Sequence, residues 1–391
     1  MRRLVIFLAT LILLALAGWL SLWWTAQNRL AAGLTGWAAQ ASAQGNVKVS
    51  YASVSTGASP LAASATLNNV QIIIQIDPAQ APASISLPSL GLRIEAASPL
   101  LMHIDLPAQI GVTTARGDLV VTFGSVELSE ELDLQALQAH QPYPFKTADW
   151  QASDINLLAS SGSLQVLHLD SFSLHSLTGR DAAENIDTVS CTGSFSNIAL
   201  SPILTRLANI PFNGQISALA FNFDITGAEL AKWQSLDQQL AAFPALDIAD
   251  RNKISLQTIH DWAAEGGTAT GSLSLVLGPT TLDASSTVKF DANAQAAGAA
   301  SLTANHLDAL SAAITAAYPF TQNAINNIEA KLSPDLSSTD AGGQTLAINL
   351  TYGNGAVIVN GQSRPLPPIN WNLLENPPPQ APGDGSGAAT Q

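Results

Sequence analysis

The spacing of apolar residues changes twice along this chain. Leu4–Trp24 is an unbroken stretch of 21 residues without a charge, interrupted only by Thr10, Gly18 and Ser21. A helix rises about 1.5 Å per residue, so the stretch is long enough for a hydrocarbon layer of roughly 30 Å. From Thr25 to Gln44 the period becomes helical, with Leu30, Leu34, Trp37 and Ala41 on one stripe, and Gly45-Asn46 stops it. This stem-helix stripe suits core packing or an interfacial face. Beyond Val47 the period becomes two. Val47, Val49 and Tyr51 alternate with Lys48 and Ser50; Leu219, Phe221, Phe223 and Ile225 with Ala220, Asn222 and Asp224. Leu273, Leu275 and Leu277, and later Ile348, Leu350 and Tyr352, repeat the pattern. Alternation with small polar partners predicts strands that have one apolar and one wetter face.

Turn signals separate these runs: Asp77-Pro78, Gly278-Pro279, Gly353-Asn354-Gly355 and Asn360-Gly361. Short runs joined by tight turns predict antiparallel meanders. Three helices interrupt them, at 201–207 after Ser201-Pro202, at 229–243 before Pro244, and at 307–317 before Tyr318-Pro319. These helices are expected to cap the sheet. The fold class is therefore mainly β with a few helices: extended antiparallel meander sheets, in two related halves, behind one N-terminal transmembrane helix. The divisions are 1–24 (cytoplasmic tip and anchor), 25–45 (stem), 46–208 and 209–375 (two β-rich halves), and 376–391 (tail). The tail, with Pro377-Pro378-Pro379 followed by small residues, lacks the apolar content to offset ordering entropy.

Charge orients the chain. Arg2 and Arg3 precede the apolar run and no Lys or Arg follows before Arg29, which places the N-terminus in the cytoplasm and residues 45–375 in the periplasm. Trp19, Trp23 and Trp24 then fall near the outer interface. A signal peptide cleaved after Ala17 is the alternative reading of the same segment, and both export the remainder. With 29 acidic against 15 basic residues the net charge is −14. Only Lys289, Lys331 and Arg364 are basic after Lys253, so nucleic acid is not an expected partner.

Candidate chemistry is sparse. His168 and His175 are the nearest histidine pair, but seven residues apart they face opposite sides of a straight strand, and Asp170 shares a face with His168. Ser286 and Lys289 have a Ser-x-x-Lys spacing, yet in an extended run they point oppositely. Glu127, Glu130, Glu131 and Asp133 read as a solvated turn at a strand end. Cys191 is the one cysteine, which excludes an intrachain disulfide and suits a small buried hydrophobe. No catalytic, metal or cofactor site is expected.

The order of features resembles an uncharacterised bacterial family, the domain of unknown function numbered 2125. The resemblance rests on Trp37, Gly45, Val47 or Val49, and Tyr51, then on Gly57 to Pro60. It continues through Trp262, Gly266-Gly267, Leu273 to Leu277 and Gly278-Pro279, and ends with Asn360-Gly361 leading into Pro365-Leu366-Pro367-Pro368. By layout the chain is also similar to the AsmA-like envelope proteins, which implies a role with lipid at the cell envelope. The expectation is a non-enzymatic protein, anchored in the inner membrane through residues 4–24, with an apolar concave sheet face for lipid or hydrophobic ligand. Leu219, Phe221, Phe223, Ile225, Leu273, Leu275 and Leu277 would line it. The alternative is an envelope scaffold that binds other proteins only.

Overall fold

The computed structural model describes residues 2–43, 47–75, 81–138, 144–159, 164–181, 186–227, 248–332, 336–338, 343–353 and 355–371, the side chains of 2–16, Arg180, Asp181, Ile186, 248–252, Leu332 and Ser338 excepted. The expected helix 229–243, the tail 376–391, Gly45-Asn46, Asp77-Pro78 and Asn354 lie outside the described residues.

The expected anchor and stem form a single helix, α1 (Arg2–Ala43). Among the described residues no helix is long and apolar enough to cross a membrane; most of the expected span precedes the first described side chain.

All the strands join one antiparallel sheet. β1 (Val47–Ser50) and β2 (Ser53–Thr56) lie end to end along β3 (Ala62–Ile74), which pairs with β4 (Ala83–Glu95). β4 is then met at one end by β5 (Ser98–Asp105) and at the other by β6 (Gln109–Thr114). β6 pairs with β7 (Gly117–Thr122) and β5 with β8 (Ser125–Leu132), and β7 and β8 both pair with β9 (Phe145–Ala159). A plain meander follows: β10 (Leu164–Asp181), β11 (Ile186–Leu200), β12 (Gln215–Thr226), β13 (Thr268–Leu277), β14 (Thr280–Phe290) and β15 (Ala296–Asn305). β15 pairs with β17 (Gln344–Gly353), along which lie β16 (Leu336–Ser338) and β18 (Ala356–Val359), and β19 (Gln362–Pro365) closes the edge. The expected division at 208/209 falls between β11 and β12, which pair from Thr188↔Thr226 to Ala199↔Gln215.

The turns follow the expected chemistry. Leu277↔Thr280 and Val359↔Gln362 enclose the two-residue loops Gly278-Pro279 and Asn360-Gly361. Asn360 and Gly361 both take positive φ, 46° and 83°, the turn whose twist matches its flanking strands.

Asparagine and aspartate do a second job inside the strands. Asn69, Asp154 and Asn197 adopt φ of 52°, 48° and 51° in mid-strand. In β3 the inward residues are Ala63, Ala65 and Leu67 before Asn69, and Val70 and Ile72 after it. One left-handed residue shifts the alternation by one, so the apolar face continues on the same side.

The densest packing sits where α1 crosses the first strands: Leu34, Ala65, Leu67, Val70 and Leu87 form a buried cluster with Leu30, Val49, Ile72 and Leu90 around it. The stem stripe differs from expectation at Trp37, which is 43% exposed, while Ala38 packs inward in its place. The other α-helices among the described residues are α2 (Leu134–Gln138), α3 (Pro202–Leu207), α4 (Ile248–Ala264), α5 (Leu307–Ala317) and α6 (Gln322–Leu332). α5 spans the expected 307–317. At α3, Ser201 sits at the cap position but its side chain makes no capping hydrogen bond.

Candidate functional site: an open apolar face

Strand register aligns one apolar row across the sheet. Leu92 (β4) pairs with Ile104, Ile104 with Leu128, Leu128 with Trp150 and Trp150 with Leu174. Leu174 then pairs with Gly193, Gly193 with Phe221, Phe221 with Leu273, Leu273 with Ala284, Ala284 with Leu302 and Leu302 with Ile348. That row crosses eleven strands. At about 4.8 Å per strand it is roughly 48 Å long, beyond the ~30 Å of a bilayer's hydrocarbon core.

All seven residues expected to line an apolar surface are on this face. Leu219 pairs with Leu275, Phe221 with Leu273, Phe223 with Gly271 and Ile225 with Ala269, while Leu277 pairs with Thr280 at the strand end. Phe223 and Leu273 are 38% and 40% exposed, and among the described residues no hydrophobic side chain of β11 to β14 is buried. Glycines opposite aromatics level this surface. The Phe221 ring lies over Gly193, where no Cβ would fit, and Tyr352 is paired with Gly298.

The expected concavity is a different matter. Two hollows of the sheet, about 690 and 420 Å³, are lined mainly by residues of the opposite, polar face, among them Arg93, His103, Gln151 and Ser171 in one and Ser272, Asp283 and Ser301 in the other. Short hydroxyls make that side shallow and ladder it across strands: Ser171–Ser196 at 2.5 Å, Ser173–Ser194 at 2.7 Å, Ser285–Ser301 at 2.7 Å, and Ser272 donating to Asn222 at 2.8 Å. Over β12 and β13 the apolar residues therefore form an open face, and the hollow lies behind them.

The histidines are placed differently from the straight-strand expectation. The half-period shift at Asp154 and Asn197 runs through β10 beside Asp170, so His168 and His175 both fall on the polar face. His168 bonds Asp170 at 2.8 Å and Asn156 at 2.9 Å, and His175 bonds Asp149 at 2.6 Å. Hydrogen bonds from Asn197 and then His168 hold the Asp170 carboxyl below the usual carboxylate range. Among the described residues no group of three or more His, Cys, Asp or Glu is arranged to hold a metal ion.

The three glutamates of the acidic cluster lie within β8 rather than in a turn, and only Asp133 falls at the strand end. Glu127 and Glu131 lie opposite Gln151 and Thr147 on the polar face, and Lys146 approaches Glu131 at 3.5 Å. Glu130 is turned to the apolar side, between Met102 and Ala148, and its burial pushes the carboxyl up. The indole Nε1–H of Trp150, on the next strand, is buried without an acceptor. Sequence reading missed this pair because only the register shows which glutamate faces inward. Asp133 accepts from Gln135 N at 2.8 Å and starts α2. Ser286 pairs with Gly271 on the apolar face and Lys289 with Thr268 on the polar one, pointing oppositely as expected. Cys191 is half-buried on the apolar face opposite Phe223, and that burial raises its thiol.

Beyond β4, which α1 covers, the described helices stand at strand ends rather than over this face. At one end Tyr318 Oη donates to Ala208 O at 3.1 Å and Asn209 Nδ2 to Ala317 O at 2.8 Å, tying α3 to α5. At the other, Trp262 of α4 donates to Thr226 O at 3.0 Å and meets Phe290 edge-on. Trp371 stacks on His260 at 4.7 Å and donates to Ala294 O at 3.0 Å. The short motifs prove to be joints: Gly267 leaves room for the Trp262 ring, Gly278 for Phe212, and Asn360 accepts from Asn349 N at 2.7 Å.

The fold thus defines a mainly β protein whose one broad antiparallel sheet has an apolar and a polar face. The chain belongs to the family described as "Uncharacterized protein conserved in bacteria (DUF2125)", whose profile matches residues 23–361. No curated protein and no solved structure matches it.

Proposed function

We propose that this is a non-enzymatic, membrane-anchored protein of the bacterial cell envelope, with its β domain in the periplasm, whose sheet takes lipid acyl chains on its open apolar face. One observation carries the reading: Phe223, Leu273 and their neighbours continue the apolar row across β11 to β14 without being buried by the described residues. An apolar strip of that extent marks an interaction surface, because a soluble monomer rarely leaves one bare. The charge-free run Leu4–Trp24, flanked by Arg2 and Arg3, supports the anchor and its orientation.

An envelope scaffold covered by another protein is the second reading, and the hollow at β12 and β13, lined mainly by polar-face residues such as Ser272 and Asp283, favours it over an enclosed lipid site. A photo-crosslinking amino acid at Phe223 in the full-length protein, irradiated in cells, separates the two. Adducts of lipid mass support the first reading and protein adducts the second. The same probe at Asn222, on the polar face, should give neither, and no adduct at Phe223 contradicts both.

A further inference from the structure

The point where α1 meets the sheet is unusually well fixed. Trp19 Nε1 donates to Pro60 O at 2.9 Å, Trp23 Nε1 to Ala62 O at 3.2 Å, and Gln27 Nε2 to the Gly57 carbonyl. Each indole thus spends its one donor on the entry to β3, Trp19 on the loop before it and Trp23 on its first residue. Beside these bonds is a cavity of about 300 Å³, lined by Trp19, Leu22, Trp23, Leu61, Ile94 and Pro99 among others. Among the described residues Glu95 is the one charged group that borders it, and Arg93 pairs with that carboxylate.

The height of this junction along the helix is informative. Trp19 lies five residues before Trp24, the end of the charge-free run. At ~1.5 Å per residue, the loop it holds reaches about 7.5 Å below that end. Leu61, at the tip of the loop, is 70% exposed, and Pro99, at the start of β5, faces the same cavity. Ile94, in the cavity wall, pairs with Met102 on the apolar face, so the cavity is continuous with the apolar row.

We infer that the β domain is seated in the membrane surface, with Pro60, Leu61 and Pro99 sunk among the lipids, and that acyl chains of the outer leaflet occupy the cavity beside Trp19 and Trp23. This rests on the anchored reading above and adds to it a contact surface. An indole prefers the interface with its polar end satisfied, and here a protein carbonyl supplies the acceptor that water would otherwise provide. The seat also puts the start of the apolar face in contact with the bilayer, so an acyl chain reaches the sheet without crossing water.

The test uses the full-length protein with Cys191→Ser and a single nitroxide-labelled cysteine at Leu61, reconstituted in vesicles of phosphatidylethanolamine and phosphatidylglycerol. Leu61 is exposed, so its replacement should not disturb folding. The expected result is at least fivefold stronger relaxation by oxygen than by a water-soluble nickel chelate. A label at Leu177, exposed on the polar face, should show the reverse. A Leu61 label as accessible to nickel as that at Leu177, in protein that resists carbonate extraction, overturns the seat and leaves the anchor standing. Protein that washes off the vesicles overturns both.

Discussion

Two parts of the same sheet handle their apolar faces in opposite ways. Over β3 and β4 the face is covered by α1, and Leu34, Ala65, Leu67, Val70 and Leu87 are buried together. Over β11 to β14 the face is as apolar, built from Phe195, Leu219, Phe221, Leu273 and Leu275, yet none of these is buried. The alternation that folds the sheet is therefore separate from the cover that stabilises it. A strand needs period two and a paired neighbour; a core also needs a second layer. The covered end supplies stability, while the open end presents surface.

Substitutions at the two ends should have unequal effects. Leu67→Ala removes a completely enclosed side chain from the covered end and should cost about 2–5 kcal/mol, read by denaturant unfolding of the full-length protein in detergent. A loss below about 1 kcal/mol would mean that this end is no more packed than the other. On the open face, Gly193→Val should cost about 1–3 kcal/mol, because the new side chain meets the Phe221 ring, and Phe221→Ala should recover most of the loss in a double-mutant cycle. No recovery would show that the glycine serves its backbone rather than the ring.

Glu130 lies at the margin of the two regions, and its effect depends on pH. Its carboxyl is raised by burial, so the folded chain holds a proton that the unfolded chain has released. That contribution is fully present below the ordinary glutamate range, about 4.3, and is lost as pH rises through the raised folded value. Glu130→Gln should therefore stabilise the protein at neutral pH and have little effect at acid pH, as measured by thermal melts across the range. A variant less stable than the parent at neutral pH would contradict that sign. Smallest of all, Ser173→Ala removes one rung of the polar ladder and should cost a few tenths of a kcal/mol.

Much of this sheet was legible as alternation. Leu219 to Ile225 and Leu273 to Leu277 lie on one face because period two and tight turns leave a single consistent register, and Gly278-Pro279 and Asn360-Gly361 are the turns their residues require. What could not be read is where the alternation shifts. Asn69, Asp154 and Asn197 look like ordinary polar strand residues, and only their left-handed backbone reveals that His168 and His175 share a face. The inward turn of Glu130 was hidden for a similar reason: a glutamate among glutamates gives no sign of which one the register buries. Helix α4 was missed because Asp250, Asn252, Ser255 and Thr258 dilute its apolar stripe, and Trp262 anchors it through partners far along the chain. The hollows of the polar face were not legible because residues of several strands far apart in sequence line them.

The central claim, that the mid-sheet apolar face is a surface for ligand and not part of a core, meets its most direct test in the full-length double variant Phe223→Ser, Leu273→Ser. Its thermal unfolding should be compared with the parent in the same detergent, and bound lipid quantified after organic extraction. The expected result is a melting temperature within about 4 °C of the parent together with loss of most of the co-purifying lipid. A melt as depressed as that of Leu67→Ala, with the lipid content unchanged, would contradict it.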